Sequence, residues 1–140
     1  MRYLGIDFGL RRIGLALSDP EGRMAFPCLT LTRQSVDQDF QRLEELIARE
    51  GVQALVVGLP LGLDGQETLT TRQARNFANK LGARTGLPLH LVNEALTSAQ
   101  ADEELKSAGL SAIKRKAVLD QQAAVIILRS HLESLAHDHD

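Results

Sequence analysis

The run ALVVGLP at residues 54–60 is the feature that most limits how this chain can fold. It is short, continuous and apolar, which is typical of a strand buried on both faces. Apolar residues recur at helical spacing over residues 36–50, and Gly51 ends that pattern. A second helical pattern follows the run, over residues 66–84. The run therefore predicts a strand inside a sheet whose faces are covered by helices.

The rest of the chain supplies the other strands of that sheet. YLGIDFG and RIGLALSD predict a β-hairpin that turns near Gly9, and MAFPCLTLT predicts a third strand in which Pro27 indicates an edge or a bulge. LPLHLVNE predicts the last strand, and helices are predicted over residues 98–108 and 117–135. This order predicts an α/β protein with a mixed sheet, a three-stranded antiparallel meander plus two parallel strands, flanked by helices.

Composition narrows the class of protein further. The 140 residues fit one domain over 1–140, and the formal net charge of −2 gives no global sign of a nucleic-acid partner. Cys28 is the single cysteine, so an intrachain disulfide is excluded and a reducing, cytoplasmic setting is expected. Its apolar neighbours favour a packed thiol. No apolar run approaches the roughly 20 residues that cross a bilayer, and no leader pattern precedes Asp7, so no membrane partner is expected.

Three carboxylates lie at informative places. Asp7 is near the end of the first predicted strand, Glu94 ends the last, and Asp120 lies in the first turns of the last helix. Ligand sites of open α/β sheets form outside the carboxyl ends of the strands. The first and last strands can be neighbours there, and a helix packed across the sheet can bring Asp120 to the same place. Three converging carboxylates suit a hard divalent ion, Mg²⁺ or Mn²⁺, which activates water in phosphodiester cleavage.

Each acidic residue also has a simpler interpretation. Asp7 could merely open a turn, and Asp120 could form a surface ion pair with an arginine or a lysine. Small residues at helical spacing from Asp120, among them Ala123 and Ala124, let the helix approach the sheet closely. A buried carboxylate is usually paired or bound to metal. Spacing alone leaves both interpretations of Asp120 open.

The motifs together resemble the YqgF/RuvX family, described as pre-16S rRNA nucleases or Holliday-junction-resolvase-like proteins of the ribonuclease H-like fold. GIDFGLRRIGLALSD is similar to the opening motif of that family, VVGLPLGLDGQET to its central loop, and KRKAVLDQQAAVIIL to its final helix. The resemblance covers nearly the whole chain. It implies a ribonuclease H-like fold and a catalytic, metal-binding set of Asp7, Glu94 and Asp120.

The chain departs from the family pattern around Glu94. The family carries Asp-Glu-Arg there, whereas this chain has Asn93-Glu94-Ala95. The carboxylate ligand is kept. An amide binds metal more weakly than a carboxylate, and alanine lacks the guanidinium fork that clamps phosphate. The departure therefore bears on rate and substrate affinity more than on the metal site.

Basic residues are the predicted substrate contacts. They are Arg11, Arg12, Arg72 and the triplet Lys114, Arg115 and Lys116, which is predicted to precede the last helix. Arg11 and Arg12 could reach a substrate phosphate or form a solvated hairpin tip. The triplet lies at the end of the helix that cations do not favour, which makes substrate contact the better interpretation. The loop GLPLGLDGQET either contacts phosphate or only caps a helix. Aromatic residues make up only 4%, so a base-stacking platform is not expected.

Four functional hypotheses follow. The first is a metal-dependent endonuclease acting on structured RNA, a pre-16S rRNA end, during ribosome biogenesis in the cytoplasm, with ribosomal particles as possible partners. The second is a resolvase of four-way DNA, which needs a homodimer rather than a monomer. The third is a non-catalytic RNA-binding assembly factor, suggested by Asn93 and Ala95. The fourth is an actin-like ATPase or sugar kinase, for whose second large domain the chain has no room. Histidines in HLESLAHDHD are expected to lie in a frayed, solvated tail.

Overall fold

The computed structural model describes residues 1–94 and 97–138. Five strands and four helices lie in these ranges. The strands are β1 (Tyr3–Phe8), β2 (Arg12–Ser18), β3 (Ala25–Thr32), β4 (Ala54–Pro60) and β5 (Leu89–Glu94), and the helices are α1 (Val36–Glu50), α2 (Leu69–Thr85), α3 (Thr97–Ser107) and α4 (Ala112–Asp138). Among the described residues, no helix is both long enough and apolar enough to span a membrane.

The strands form one mixed sheet in the order β3-β2-β1-β4-β5. β1, β2 and β3 pair antiparallel, whereas β1 with β4 and β4 with β5 pair parallel. The predicted meander plus two parallel strands is therefore confirmed. β1 and β5 are not neighbours, because β4 lies between them. The apolar β4 is buried along nearly its whole length, as its sequence requires.

Alternation along β1 assigns the two faces of the sheet. Leu4, Ile6 and Phe8 belong to the larger core, which α1 and α2 cover. Tyr3 and the residues at odd positions face α4, which packs across β1, β2 and β4. α3 packs on the outer side of α4 through Ala101. The sheet is thus covered on both faces, and α4 lies alone against the face that carries Asp7.

Local sequence signals explain where the helices begin. Ser35 and Gln38 form a reciprocal capping box, and α1 runs over the predicted residues. α4 begins at Ala112 rather than 117 because Ser111 caps it: the Lys114 backbone N–H donates to Ser111 Oγ at 3.4 Å. The basic triplet therefore lies inside the first turns of α4, and the prediction that it precedes the helix is wrong.

The end of the chain is more ordered than expected. α4 remains helical through Asp138, so the predicted frayed tail is wrong for the described part of that segment. Its reason is packing: the His131 ring stacks on His90 at 4.4 Å between ring centroids and meets the edge of Tyr3 at 5.5 Å. Leu132 is buried in the same cluster. Residues 139 and 140 lie outside the described residues.

The third strand agrees with its sequence. β3 is an edge strand, and the β2–β3 register shifts between Leu15 and Ala16, where Pro27 pairs with Ala16. Cys28 is half-buried against the main core, and burial raises the pKa of its thiol, as a packed cysteine requires.

Candidate active site

Glycines let the last helix lie directly on the sheet. A Cβ atom added at Gly14 would lie 1.9 Å from the backbone oxygen of Asp120. A Cβ at Gly5 would lie 2.7 Å from Leu128 Cβ, and one at Gly58 would lie 2.3 Å from Ile127 Cδ1. Such distances are impossible for any residue with a side chain. At Gly14 the backbone of α4, and at Gly5 and Gly58 mainly its side chains, take the space that a strand side chain would fill. The position of α4 over β2 is therefore fixed at Asp120.

This contact brings Asp120 to Asp7. Gly14 is the cross-strand partner of Asp7 in the β1–β2 pair, and partners of this kind project to the same face of a sheet. Asp7 thus lies beside the glycine that α4 covers. Burial first, and then the negative charge of Asp120, raise the pKa of Asp7 from its ordinary value of 3.8 to about 6. The structure therefore brings these two predicted site residues together.

Arg12 completes the local charge arrangement. Its Nε donates to Asp120 Oδ2 at 2.7 Å, although both side chains remain partly exposed. The ion-pair interpretation of Asp120 is therefore correct for this structure. In the part of the chain that the structure describes, no donor bonds to the carboxylate of Asp7. Asp7 is a partly buried acid beside a second acid, whereas Asp120 already has a cation.

Glu94 lies on the same face and at the same end of the sheet. β1 pairs Gly5 with Val56, β4 pairs Val56 with His90, and alternation from His90 places Glu94 on the side of α4. It lines a small polar cavity of about 190 Å³ together with Gln100, Ile126, Arg129, Ser130 and Glu133. Within residues 1–94 and 97–138, no group of three or more His, Cys, Asp and Glu side chains could hold a metal ion. Asp7 and Asp120 meet, Glu94 does not join them, and the three-carboxylate set stays a prediction.

The substitutions around Glu94 are only partly described. Asn93 is exposed near the end of β5, and Ala95 lies outside the described residues. The carbonyl of Glu94 accepts a hydrogen bond from the Leu61 backbone N–H at 3.0 Å. This bond ties the end of β5 to the loop that follows β4.

The predicted basic contacts occupy different environments. Arg11 lies exposed in the hairpin turn, and Arg72 is exposed in the first turn of α2. Lys114 and Lys116 are exposed on α4. Arg115 instead pairs with Asp102 at 2.9 Å and donates to the Leu110 carbonyl oxygen, so it fastens α4 to α3. The triplet therefore divides into two exposed lysines and one arginine with a structural contact.

The loop after β4 serves as a helix cap. Thr68 Oγ1 accepts from the Thr71 backbone N–H, and Thr71 Oγ1 accepts from the Thr68 backbone N–H, so α2 begins at Leu69 rather than 66. The buried Thr71 hydroxyl also donates to the Pro60 carbonyl oxygen. The helix-cap interpretation of these two threonines is confirmed.

Sequence reasoning predicted a close approach of α4 from its own small residues but missed the glycines of the strands that allow it. The signal was present as Gly5 and Gly14, both within apolar strands, and Gly58 in the buried run. A glycine inside a strand often marks close approach of another backbone. The Arg12–Asp120 pair had no such signal, because 108 residues separate its members.

The sheet order, the crossing helix and the flanking helices define a ribonuclease H-like fold. T. thermophilus RuvC, solved in complex with a Holliday junction substrate, shares it with a TM-score of 0.63 at 18% identity, over 98% of this chain and 96% of that chain. At that identity the likeness shows the fold alone. The chain belongs to the RuvX family, whose model, described as Holliday junction resolvase, matches residues 1–134.

Curated relatives agree with the family. A protein of Maridesulfovibrio salexigens is 54% identical over 94% of this chain and 98% of its own length. A protein of Nitratidesulfovibrio vulgaris is 51% identical over 94% of this chain and 93% of its own length. Both carry the name "Putative pre-16S rRNA nuclease".

Proposed function

We propose that this protein is a divalent-metal-dependent endonuclease that cleaves structured RNA, an rRNA precursor, in the cytoplasm. The observation that carries the proposal is the meeting of Asp7 and Asp120 at the carboxyl end of β1, beneath a helix that glycines seat on the sheet. The names of the RuvX relatives support the choice of substrate.

The residues present fit a hard divalent ion. Asp7 offers a partly buried carboxylate to which no donor bonds among the described residues, and its pKa is raised by burial and then by the negative charge of Asp120. Asp7 and Asp120 would hold the ion. Glu94, the third ligand that the family resemblance implies, forms no common metal-binding group with them among the residues that the structure describes. Mg²⁺ commonly uses few protein carboxylates and completes its shell with water and substrate phosphate. When bound, the ion activates water and stabilises the leaving oxygen.

The remaining groups orient the substrate. Arg12 is within reach of Asp120 and exposed enough to turn toward a phosphate, where its guanidinium makes paired hydrogen bonds. Arg11, Arg72, Lys114 and Lys116 are exposed and add positive charge for the backbone of the strand. Asp7 must be ionised to hold a cation. Since its pKa is about 6 without metal, protons and metal compete for it near that pH.

Cleavage assays test the proposal. A labelled rRNA-precursor fragment and a four-way DNA junction are incubated in parallel with Mg²⁺ or Mn²⁺. We expect the wild-type protein to cut the RNA and Asp7→Asn to be inactive. Asp37→Asn, which neutralises an exposed acid on α1, is the matched control and is expected to remain active. Full activity of Asp7→Asn would refute the mechanism.

The family description favours a second candidate, resolution of four-way DNA. Two symmetric cuts need two active sites, so this activity predicts a homodimer. Preferred cutting of the junction by a dimer would replace the RNA proposal. Tight RNA binding without cleavage in either metal would support the assembly-factor hypothesis instead.

A further inference from the structure

A cavity on the opposite face of the sheet has no part in the carboxylate site. Its volume is about 240 Å³, and it opens at the carboxyl end of β1, between the β1–β2 hairpin, α1 and α2. This volume is below the roughly 300–1,000 Å³ of sites that bind drug-sized ligands. The lining residues are Phe8, Leu10, Arg33, Val36, Phe40, Gln73, Asn76, Phe77 and Lys80.

The floor of the cavity is aromatic and its rim is apolar. Phe77 stacks on Phe8 with 4.4 Å between ring centroids and on Phe40 with 5.2 Å. Leu10 and Val36 stand at the rim and are 65% and 55% exposed. Of the five aromatic residues in the chain, three meet here. The three rings are themselves buried, and their outer faces are covered by Arg33 and Arg84. The exposed apolar surface beside the cavity is therefore that of Leu10 and Val36, which can contact a ligand with an apolar part.

One face of α2 supplies the polar side of the cavity. Gln73, Asn76 and Lys80 lie three and four residues apart, so they share that face. All three are exposed, and within the described ranges none forms a side-chain hydrogen bond or an ion pair. The two amides each offer a donor and an acceptor, and the lysine offers a cation.

The charge of the lining favours an anion. No carboxylate is among the nine lining residues, although the chain has 18 acidic and 16 basic residues. Arg33 lies over the Phe8 ring at 4.6 Å from its centroid, and the buried Asp39 is shared between Arg33 at 3.4 Å and Arg42 at 2.6 Å. One carboxylate for two guanidinium groups leaves a net positive charge, to which Lys80 adds a second, exposed one.

We propose that this cavity binds one unpaired nucleotide of the substrate strand. The base would lie against the exposed apolar rim of Leu10 and Val36 with its edge toward Gln73 and Asn76, and a phosphate would lie near Lys80. Amide side chains match the donor–acceptor edges of bases, and lysine binds phosphate as a point charge. This inference rests on the proposed nuclease function and adds a specificity site to it.

The hairpin joins the cavity to the carboxylate site. Phe8 follows Asp7 in β1, and the two side chains project to opposite faces. The Arg33 backbone N–H donates to the Arg11 carbonyl oxygen at 2.8 Å, so the cavity wall holds the turn that leads to Arg12. The cavity and the carboxylate site therefore adjoin the same hairpin turn, one on each face of the sheet.

Binding measurements test the proposal on the full chain. A short labelled single-stranded RNA is titrated by fluorescence anisotropy without added divalent metal, so that it stays intact, and one base at a time is removed by an abasic substitution. Asn76→Ala and Lys80→Ala are compared with Asn79→Ala and Lys106→Ala, which change exposed residues of the same types outside the cavity.

We expect one abasic position to weaken binding to the wild-type protein by about tenfold. Asn76→Ala should weaken binding to the intact strand about five- to tenfold and make that abasic position nearly silent. Both control variants should bind like the wild type.

Three results would overturn the inference. The first is a flat abasic scan with unchanged binding by Asn76→Ala and Lys80→Ala, which leaves the nuclease proposal intact. The second is equal losses in Asn79→Ala and Lys106→Ala. The third is binding of free adenosine monophosphate as tightly as the RNA, which would make the cavity a site for a free nucleotide. A fourth result, failure of the wild type to bind any strand either with or without Mn²⁺, would refute the proposed function together with the inference.

Discussion

Gly14→Ala is the substitution that most directly tests the close contact between α4 and β2. The new Cβ would lie 1.9 Å from the Asp120 oxygen and 2.4 Å from its carbonyl carbon, whereas ordinary contacts begin near 3.4 Å. The obstacle is backbone, so no side chain can turn away. The helix must move from β2 by about 1.5 Å, or the sheet must yield by as much. This separation opens the packing of α4 against the sheet, all five strands of which it contacts.

The expected cost follows from overpacking. Extra methyl groups in a packed interior cost about 1–3 kcal/mol, and more where backbone must shift. We therefore expect a loss of about 3 kcal/mol in the free energy of unfolding, which lowers Tm by about 10 °C for a chain of this size. Displacing Asp120 also removes burial and negative charge from Asp7, so the pKa of Asp7 should fall from about 6 toward 3.8.

Thermal unfolding and a carboxyl-carbon NMR titration of Asp7 measure these two effects. Gly82→Ala is the matched control, because a Cβ there meets only Leu89 at 3.6 Å and alanine favours the α2 helix by up to about 1 kcal/mol. It should unfold at the same temperature as the wild type or above it. An unchanged Tm and an unchanged Asp7 pKa in Gly14→Ala would refute the close approach of α4.

Three further substitutions test the charges. Asp7→Asn should stabilise the protein at pH 7 by up to about 3 kcal/mol and by little at pH 4, because ionised Asp7 destabilises the fold as pH rises from 3.8 through about 6. Urea unfolding at both pH values measures this gain in the free energy of unfolding, and an equal gain at both would contradict the prediction. Burial and then His90 lower the pKa of His131, so the unfolded chain binds a proton there more readily and wild-type stability falls as pH drops through 6.5. His131→Phe should remove that part of the acid sensitivity when Tm is measured against pH, and an unchanged profile of Tm would contradict this prediction. Arg12→Gln removes the cation that pairs with Asp120 and should tighten Mn²⁺ binding two- to fivefold, which is about what an exposed ion pair contributes. Calorimetry measures the affinity, and weaker binding would show that Arg12 does not compete with metal.

Elements with local signals were predictable from the sequence. Ser35, Gln38 and Gly51 mark both ends of α1, and the predicted and observed bounds agree. Ser111 was an equally local signal for the start of α4, and overlooking it placed the basic triplet outside the helix. The apolar β4 determined the layered architecture because a strand without a polar face must be covered twice.

Contacts between distant segments could not be predicted in the same way. The sequence pattern does not determine whether β4 or β5 lies next to β1 in the sheet. In the structure β4 lies between β1 and β5. The low aromatic content gave no sign that Phe8, Phe40 and Phe77 come together from three elements, where they stack in the buried core. Composition counts residues over the whole chain, whereas a site depends on which few of them meet.

The position of α4 also determines when the acidic pair can form during synthesis. During synthesis β1 and β2 emerge well before Asp120, which follows Arg12 by 108 residues. Until α4 arrives, the bare backbone at Gly5, Gly14 and Gly58 has no cover and Asp7 has no acidic neighbour. A chain interrupted before α4 can build the hairpin but not the acidic pair. The acidic pair therefore forms only after α4 has been synthesised. A half-made chain carries no assembled centre while it is still near RNA.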